Sequence, residues 1–192
     1  MKKIIAVMLA VLTVCSMAAC GKKQEPQTDE QGSPIEVQVE TAELSTEGGK
    51  DAVAVAQKVM DAKNAYQYSG VLALGHEKYV KNMAARMRMD VEELLCMYDE
   101  LAAGIQYETE KDKGEHTLTG KVGEATAVDG EELTALQERY EDLYELTVTR
   151  AAEVPLTITA EYESGKEESE ETVVIVEIDD RWYLELGSVK LV

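Results

Sequence analysis

The stretch VLTVCSMAACGKK (11–23) places Cys15 and Cys20 five residues apart at the end of an apolar run, and Cys96 is the third cysteine of the chain. A thiolate can be acylated, cross-linked, metallated or used as a nucleophile. Spacing removes most of these options. The sequence has no Cys-x-x-Cys and no His-x-x-x-His, so it offers no zinc set. His76 and His116 stand far apart at expected element starts; a general-base role is conceivable for either, and a packing role is the simpler reading. The acidic run Glu167, Glu168, Glu170, Glu171 reads as a solvated loop, with loose calcium binding as the alternative. The DGEE segment (129–132) suits a helix start, where acids complement the dipole, and lacks the oxygen spacing of an EF-hand loop. No glycine-rich phosphate loop, Gly-x-Ser-x-Gly elbow or basic–aromatic stripe occurs, and no cofactor is expected.

The two early cysteines have a different use. Met1-Lys2-Lys3 precedes the uncharged run Ile4 to Val14, which has the length of a signal-peptide core and falls well short of the about 20 residues that span a bilayer. Ser16, Ala18 and Ala19 then lead into Cys20-Gly21. This resembles the bacterial lipobox, in which cleavage falls just before a cysteine already carrying diacylglycerol. The resemblance implies a signal peptide over 1–19 and a palmitate-bearing Cys20 as the mature first residue. The protein would then be anchored to the outer face of the cell membrane. Cys15 does not fit, because Val14 is too bulky beside the cleavage point. An ordinary secretory signal cut after Ala19, without lipid, stays open. Two acyl chains anchor stably where one does not. Cys96 would then be the one remaining thiol of the domain, with no second thiol for an intramolecular disulfide.

Cleavage would remove two lysines and no acid from a chain of net charge −19, leaving about −21. Such a surface repels nucleic acid and anionic headgroups. The chain has no phenylalanine, so nine tyrosines and Trp182 supply its aromatic packing. Residues 20–50 are rich in Gln, Glu, Ser, Thr and Gly and read as a tether, in which IEVQVE (35–40) would add at most an edge strand. The remainder, 51–192, is long enough for one domain.

Periodicity supplies the elements. Ala52, Val55, Ala56, Val59 and Met60 make one helical face, with Gly70 as a candidate stop. His76 to Met87 repeats the pattern through Tyr79, Val80, Met83 and Met87. Asp90 with Glu93 reads as a capping box, followed by Val91, Leu94, Leu95, Tyr98, Leu101 and Ala102 up to a stop at Gly104. IQYETE (105–110) and EHTLTGKVGEATAV (115–128) read as strands, the latter bulged near Gly120 and Gly123. A helix follows over 131–146, then a strand over AEVPLTITAEY with Pro155 marking an edge or bulge, then the loop ESGKEESEE. The last hairpin turns at Asp179-Asp180, which sets Glu177 opposite Trp182 and Ile175 opposite Leu184, and leaves Val174, Val176 and Ile178 against Glu185, Tyr183 and Arg181. Both faces are substantially apolar, so something must cover the second: a curl of the sheet, a ligand or another subunit.

The order of three helices, two strands, a helix and three strands resembles the nuclear-transport-factor-2-like (cystatin-like) fold, an α+β cone in which a curved, mostly antiparallel sheet wraps a helix. The phrases MDVEELLCMYDELAAG, KVGEATAVDGEELTALQERY and VVIVEIDDRWYLEL are similar to uncharacterised Gram-positive lipoproteins that carry such a domain after a lipobox. The superfamily holds isomerases, dehydratases and non-catalytic modules, so the fold does not choose a function. Ligand-binding members use the mouth of the cone, and isomerase-like ones set an Asp base against Tyr or Asp donors. Tyr66, Tyr68, Tyr98, Tyr107 and Trp182 are the candidates for lining such a pocket. Asp99 points about 100° off the apolar stripe and reads as exposed. The favoured reading is a non-catalytic binding or assembly module, with Val174, Val176, Ile178 and Tyr183 as the contact surface for a homodimer or envelope partner. A small-molecule carrier or isomerase-like enzyme is the alternative, and its mark would be a buried carboxylate beside tyrosines.

Overall fold

The computed structural model describes Gly49 and residues 51–190. The expected signal peptide, Cys20, the IEVQVE segment and the tether apart from Gly49 lie outside the described residues. Helix α1 (Ala52–Asn64) starts where the carboxylate of extended Asp51 accepts the Ala54 N–H at 2.8 Å, and it buries the expected face from Ala52 to Met60. The chain then passes through Tyr66 at φ +53° and restarts as α2 (Tyr68–Leu72), so Gly70 lies within a helix instead of ending one. In α3 (Glu77–Met87), His76 is the N-cap and its Nδ1 accepts the Lys78 N–H at 3.2 Å. The buried residues of α3 are Val80 and Ala84, while Met87 faces solvent.

Helix α4 (Val91–Lys113) carries the expected capping box between Asp90 and Glu93. It does not stop at Gly104. A mid-helix glycine costs only about 1 kcal/mol, and nothing crowds Gly104 from outside. The apolar spacing continues through Ile105, and Gln106 reaches Glu110 one turn on at 2.8 Å. IQYETE is therefore helical, and Gly114, at φ +91°, ends the run.

The sheet is antiparallel and strongly curled, in the order β1 (His116–Val122), β3 (Arg150–Tyr162), β4 (Gly165–Ile178), β5 (Arg181–Leu184), with β2 (Thr126–Val128) also on β3. The ESGKEESEE segment is not a loop. Only Glu163-Ser164 turn, and β4 pairs with β3 from Tyr162↔Gly165 to Arg150↔Glu177. Its first half is exposed, so nothing selects apolar residues there, while the ladder satisfies its inner backbone edge. Pro155 lies within central β3, where its carbonyl accepts the Gly123 N–H at 2.8 Å. Its missing N–H faces the same gap between β1 and β2, so no ladder bond is lost. A Cβ on Gly123 would come within 2.6 Å of the Pro155 ring, which explains the glycine. Asp179 and Asp180 take φ +51° and +60°, as a two-residue type I′ turn requires, and the expected register follows: Glu177↔Trp182, Val176↔Tyr183, Ile175↔Leu184.

Helices cover both sheet faces. Val55, Val59, Met60, Val71, Leu72, Val80 and Leu94 fill one side against Val154, Leu156, Val173, Ile175 and Leu184. Helix α5 (Gly130–Tyr144) and residues 146–148 cover the other, with Tyr140, Leu146 and Val148 over Ala151, Val176, Ile178 and Tyr183. The second apolar face is thus closed by the chain itself. Val176, Ile178 and Tyr183 are buried and Val174 packs against the same cluster, so these residues do not form an open contact surface.

Candidate functional site

The aromatic residues expected to line a pocket are dispersed. Tyr107 is 65% exposed on α4, under Lys111. Tyr98 directs its hydroxyl at Met83 Sδ, 3.8 Å away. Trp182 is half-buried between the Arg150 guanidinium, 5.2 Å from its ring, and the Gly49 backbone, with which it exchanges hydrogen bonds of 2.8 and 3.1 Å. Tyr66 pairs with His116, its hydroxyl 2.6 Å from Nε2. Burial, then the neighbouring Tyr68, Tyr162 and Glu110, raise the Tyr66 phenol to about 12. It is therefore neutral at pH 7. Asp99 is not exposed either: Oδ1 accepts the Ser69 N–H at 2.8 Å and docks α4 against α2. His76 stacks edge-on to Tyr183, and burial lowers its basicity. Between the helices and the sheet, the space is occupied by apolar side chains from both layers.

The residues that do converge are others. Glu185, just after β5, is 3% exposed. Its Oε2 accepts from the Tyr140 hydroxyl at 2.5 Å, its Oε1 accepts from the Gly187 N–H at 3.2 Å, and Arg139 Nη2 forms an ion pair with Oε1 at 3.1 Å. Tyr79 completes the group, stacked on Tyr144 at 4.7 Å, while Tyr140 meets Tyr144 edge-on at 5.3 Å. Burial first, and the Glu185 charge second, push both the Tyr140 and Tyr79 phenols well above the usual tyrosine range, with Arg139 pulling the other way. Both phenols are therefore neutral. Tyr140 donates to the carboxylate. A buried carboxylate beside tyrosines is the mark expected of the isomerase-like alternative, and Glu185 with Tyr140 and Tyr79 supplies it. Here its oxygens are engaged by two hydrogen-bond donors and the Arg139 ion pair, from α5 and the chain after β5, so it works as a clamp between layers. Two surface hollows lie elsewhere: about 530 Å³ along Gln137, Glu141 and Thr147, and about 500 Å³ along Leu156, Glu170 and Lys190. Neither is lined by Glu185 or by the dispersed aromatics.

Two more buried charges are paired. Lys63 and Glu171, 10% and 7% exposed, meet at 2.5 Å, and Lys63 Nζ also donates to the Lys190 carbonyl at 2.9 Å. Glu177 receives two bonds from Arg150, at 2.6 and 2.5 Å, and one from the Thr149 hydroxyl at 2.8 Å. The sequence did carry a signal for two of these. The hairpin register set Glu177 and Glu185 on apolar faces, where an acid needs a partner. It gave no hint of which partner, because Arg150 and Tyr140 come from separate elements.

The Arg150 hydrogen bonds, ahead of those from Thr149, hold the Glu177 carboxyl below its usual 4.5. A carboxyl with a lowered folded value stabilises the protein above its unfolded pKa, and that contribution disappears as pH falls through the folded value. Urea melts from pH 7 to pH 3 should therefore show Glu177→Gln less stable than the parent at neutral pH, with the gap closing below about pH 4. Arg150 is largely exposed, so salt should narrow the gap as well.

Among the described residues no group of three His, Cys, Asp or Glu could hold a metal ion, and no helix is long and apolar enough to cross a membrane. No family model, curated protein or solved structure matches the chain.

Proposed function

We propose that the protein is an acylated lipoprotein on the outer face of the cell membrane, whose domain over 51–192 is a nuclear-transport-factor-2-like module used for binding or assembly without catalysis. The element order and the curled sheet with α1 across its inner face support the family reading. The observation that carries the non-catalytic role is the filled interior. Val59, Leu72, Leu94, Leu156 and Ile175 are each at most 1% exposed where a ligand-binding cone would be hollow. The lipobox-like sequence before Cys20 supports the anchor. The acidic surface suits a module held near, but not adsorbed to, anionic headgroups.

Labelling cells with a palmitate analogue tests the anchor. The parent protein should carry label on a chain shortened by its leader, and Cys20→Ala should carry no label and keep the leader uncleaved. Label retained by Cys20→Ala would overturn the assignment. A thermal-shift screen with apolar and steroid-like compounds tests the rest: a ligand at 100 times its Kd stabilises by about 2.7 kcal/mol. Any compound producing such a shift returns the cavity-based alternative to first place.

A further inference from the structure

Sheet edges invite pairing, and proteins normally block or cover them. At one end of this sheet, β5 is covered: Trp182 bonds Gly49, and the Leu184 N–H donates to the Leu74 carbonyl at 2.8 Å. The first half of β4 projects past β5 and is guarded by Glu167, Glu168 and Glu170. The other end is β1, HTLTGKV, which pairs only with β3. The Pro155 carbonyl faces the β1–β2 side, so Thr157, Thr159 and Glu161 face β1 as well, and their partners Lys121, Thr119 and Thr117 face back. His116, Leu118, Gly120 and Val122 therefore present their N–H and C=O groups outward. Among the described residues no backbone group pairs with them. In a chain of net charge −19, this edge contains no acid and no proline, and its exposed side chains are Thr117, Thr119 and Lys121. It has the blocking devices of neither other edge.

We propose that the outer edge of β1 pairs antiparallel with the same strand of a second copy, about a two-fold axis through Thr119. That register sets His116 against Val122 and Leu118 against Gly120, so outward-facing groups meet outward-facing groups. Lys121 lies opposite Thr117, and no like charges confront each other across the ladder. An isologous contact of this kind closes as a dimer. The charge pattern selects this occupant over pairing through β4, where glutamate would face glutamate. The inference deepens the assembly role proposed above by naming its partner, and anchoring in one membrane plane would raise the encounter rate of the copies.

The axis yields a specific test. Thr119 would face its own copy in a non-hydrogen-bonded pair, with Cα atoms about 4.5 Å apart, inside the disulfide range. Thr117 would lie about 14 Å from its own copy, outside that range. In full-length chain carrying Cys96→Ser, mild oxidation of membranes should cross-link Thr119→Cys at least about tenfold more than Thr117→Cys. Both positions are exposed, so neither substitution threatens the fold. Equal cross-linking at both sites, or none at Thr119→Cys, overturns the proposal. Combining Thr119→Cys with Cys15→Ser and Cys20→Ala separates it from the anchor: the palmitate label should disappear, while the Thr119→Cys cross-link should persist.

Discussion

Lys63→Met should lower the midpoint of thermal unfolding by about 10–15 °C. The ammonium and the Glu171 carboxylate are both almost removed from water and meet at 2.5 Å. Deleting one partner leaves the other charge desolvated and uncompensated, which costs about 3–5 kcal/mol. For a domain of this size, 1 kcal/mol corresponds to roughly 3–4 °C. Lys63 also holds the Lys190 carbonyl, so the variant should release Lys190 from α1 as well. The double variant Lys63→Met, Glu171→Leu should recover most of the loss, because an apolar pair of similar volume replaces the ion pair without an orphan charge. Differential scanning calorimetry on the four members of the cycle gives the coupling directly. A Lys63→Met protein melting within 3 °C of the parent would mean that Glu171 finds water, and that the pair is a surface interaction.

The same residues show why part of the fold was legible and part was not. Helix faces and the final hairpin were readable because their information is local. Asp90 with Glu93 marks a start, the spacing from Ala52 to Met60 marks a face, and Asp179-Asp180 fixes a register. Strand content failed where no local signal exists. The first half of β4 is exposed on both faces, so its composition matches that of a loop, and only pairing with β3 makes it a strand. Helix α4 failed for the opposite reason: Gly104 resembles a stop, yet the helix continues because its packing outweighs one glycine. The apolar second face of the hairpin was correctly seen to need a cover. That the cover is α5 of the same chain depends on a packing direction, which the sequence does not encode locally. The polar centre was hidden for a related reason. The hairpin register places Glu185 on an apolar face, but Tyr140 is 45 residues away and Tyr79 lies on another helix.

Glu185→Ala should cost about 3 kcal/mol, or roughly 10 °C in melting midpoint. Two losses combine. The Tyr140 hydroxyl stays buried without an acceptor, at about 1–3 kcal/mol, and the missing methylenes leave a small void beneath α5. Arg139 adds little, since its guanidinium is 47% exposed and rehydrates. The converse change, Tyr140→Phe, strands a carboxylate that keeps only Arg139 and the Gly187 N–H, and should cost about 1.5–3 kcal/mol. The two losses should not add, because each variant removes the same 2.5 Å bond. With Glu185→Leu as the second single variant, Tyr140→Phe combined with Glu185→Leu should therefore lose less than the sum of Tyr140→Phe and Glu185→Leu, and should be more stable than Glu185→Leu alone. This cycle also decides between a clamp and a reactive centre. A clamp predicts that Glu185→Leu with Tyr140→Phe folds and changes stability alone. A group retained for acid–base work at a cost in stability would give the reverse: a double variant more stable than the parent that loses ligand binding or turnover.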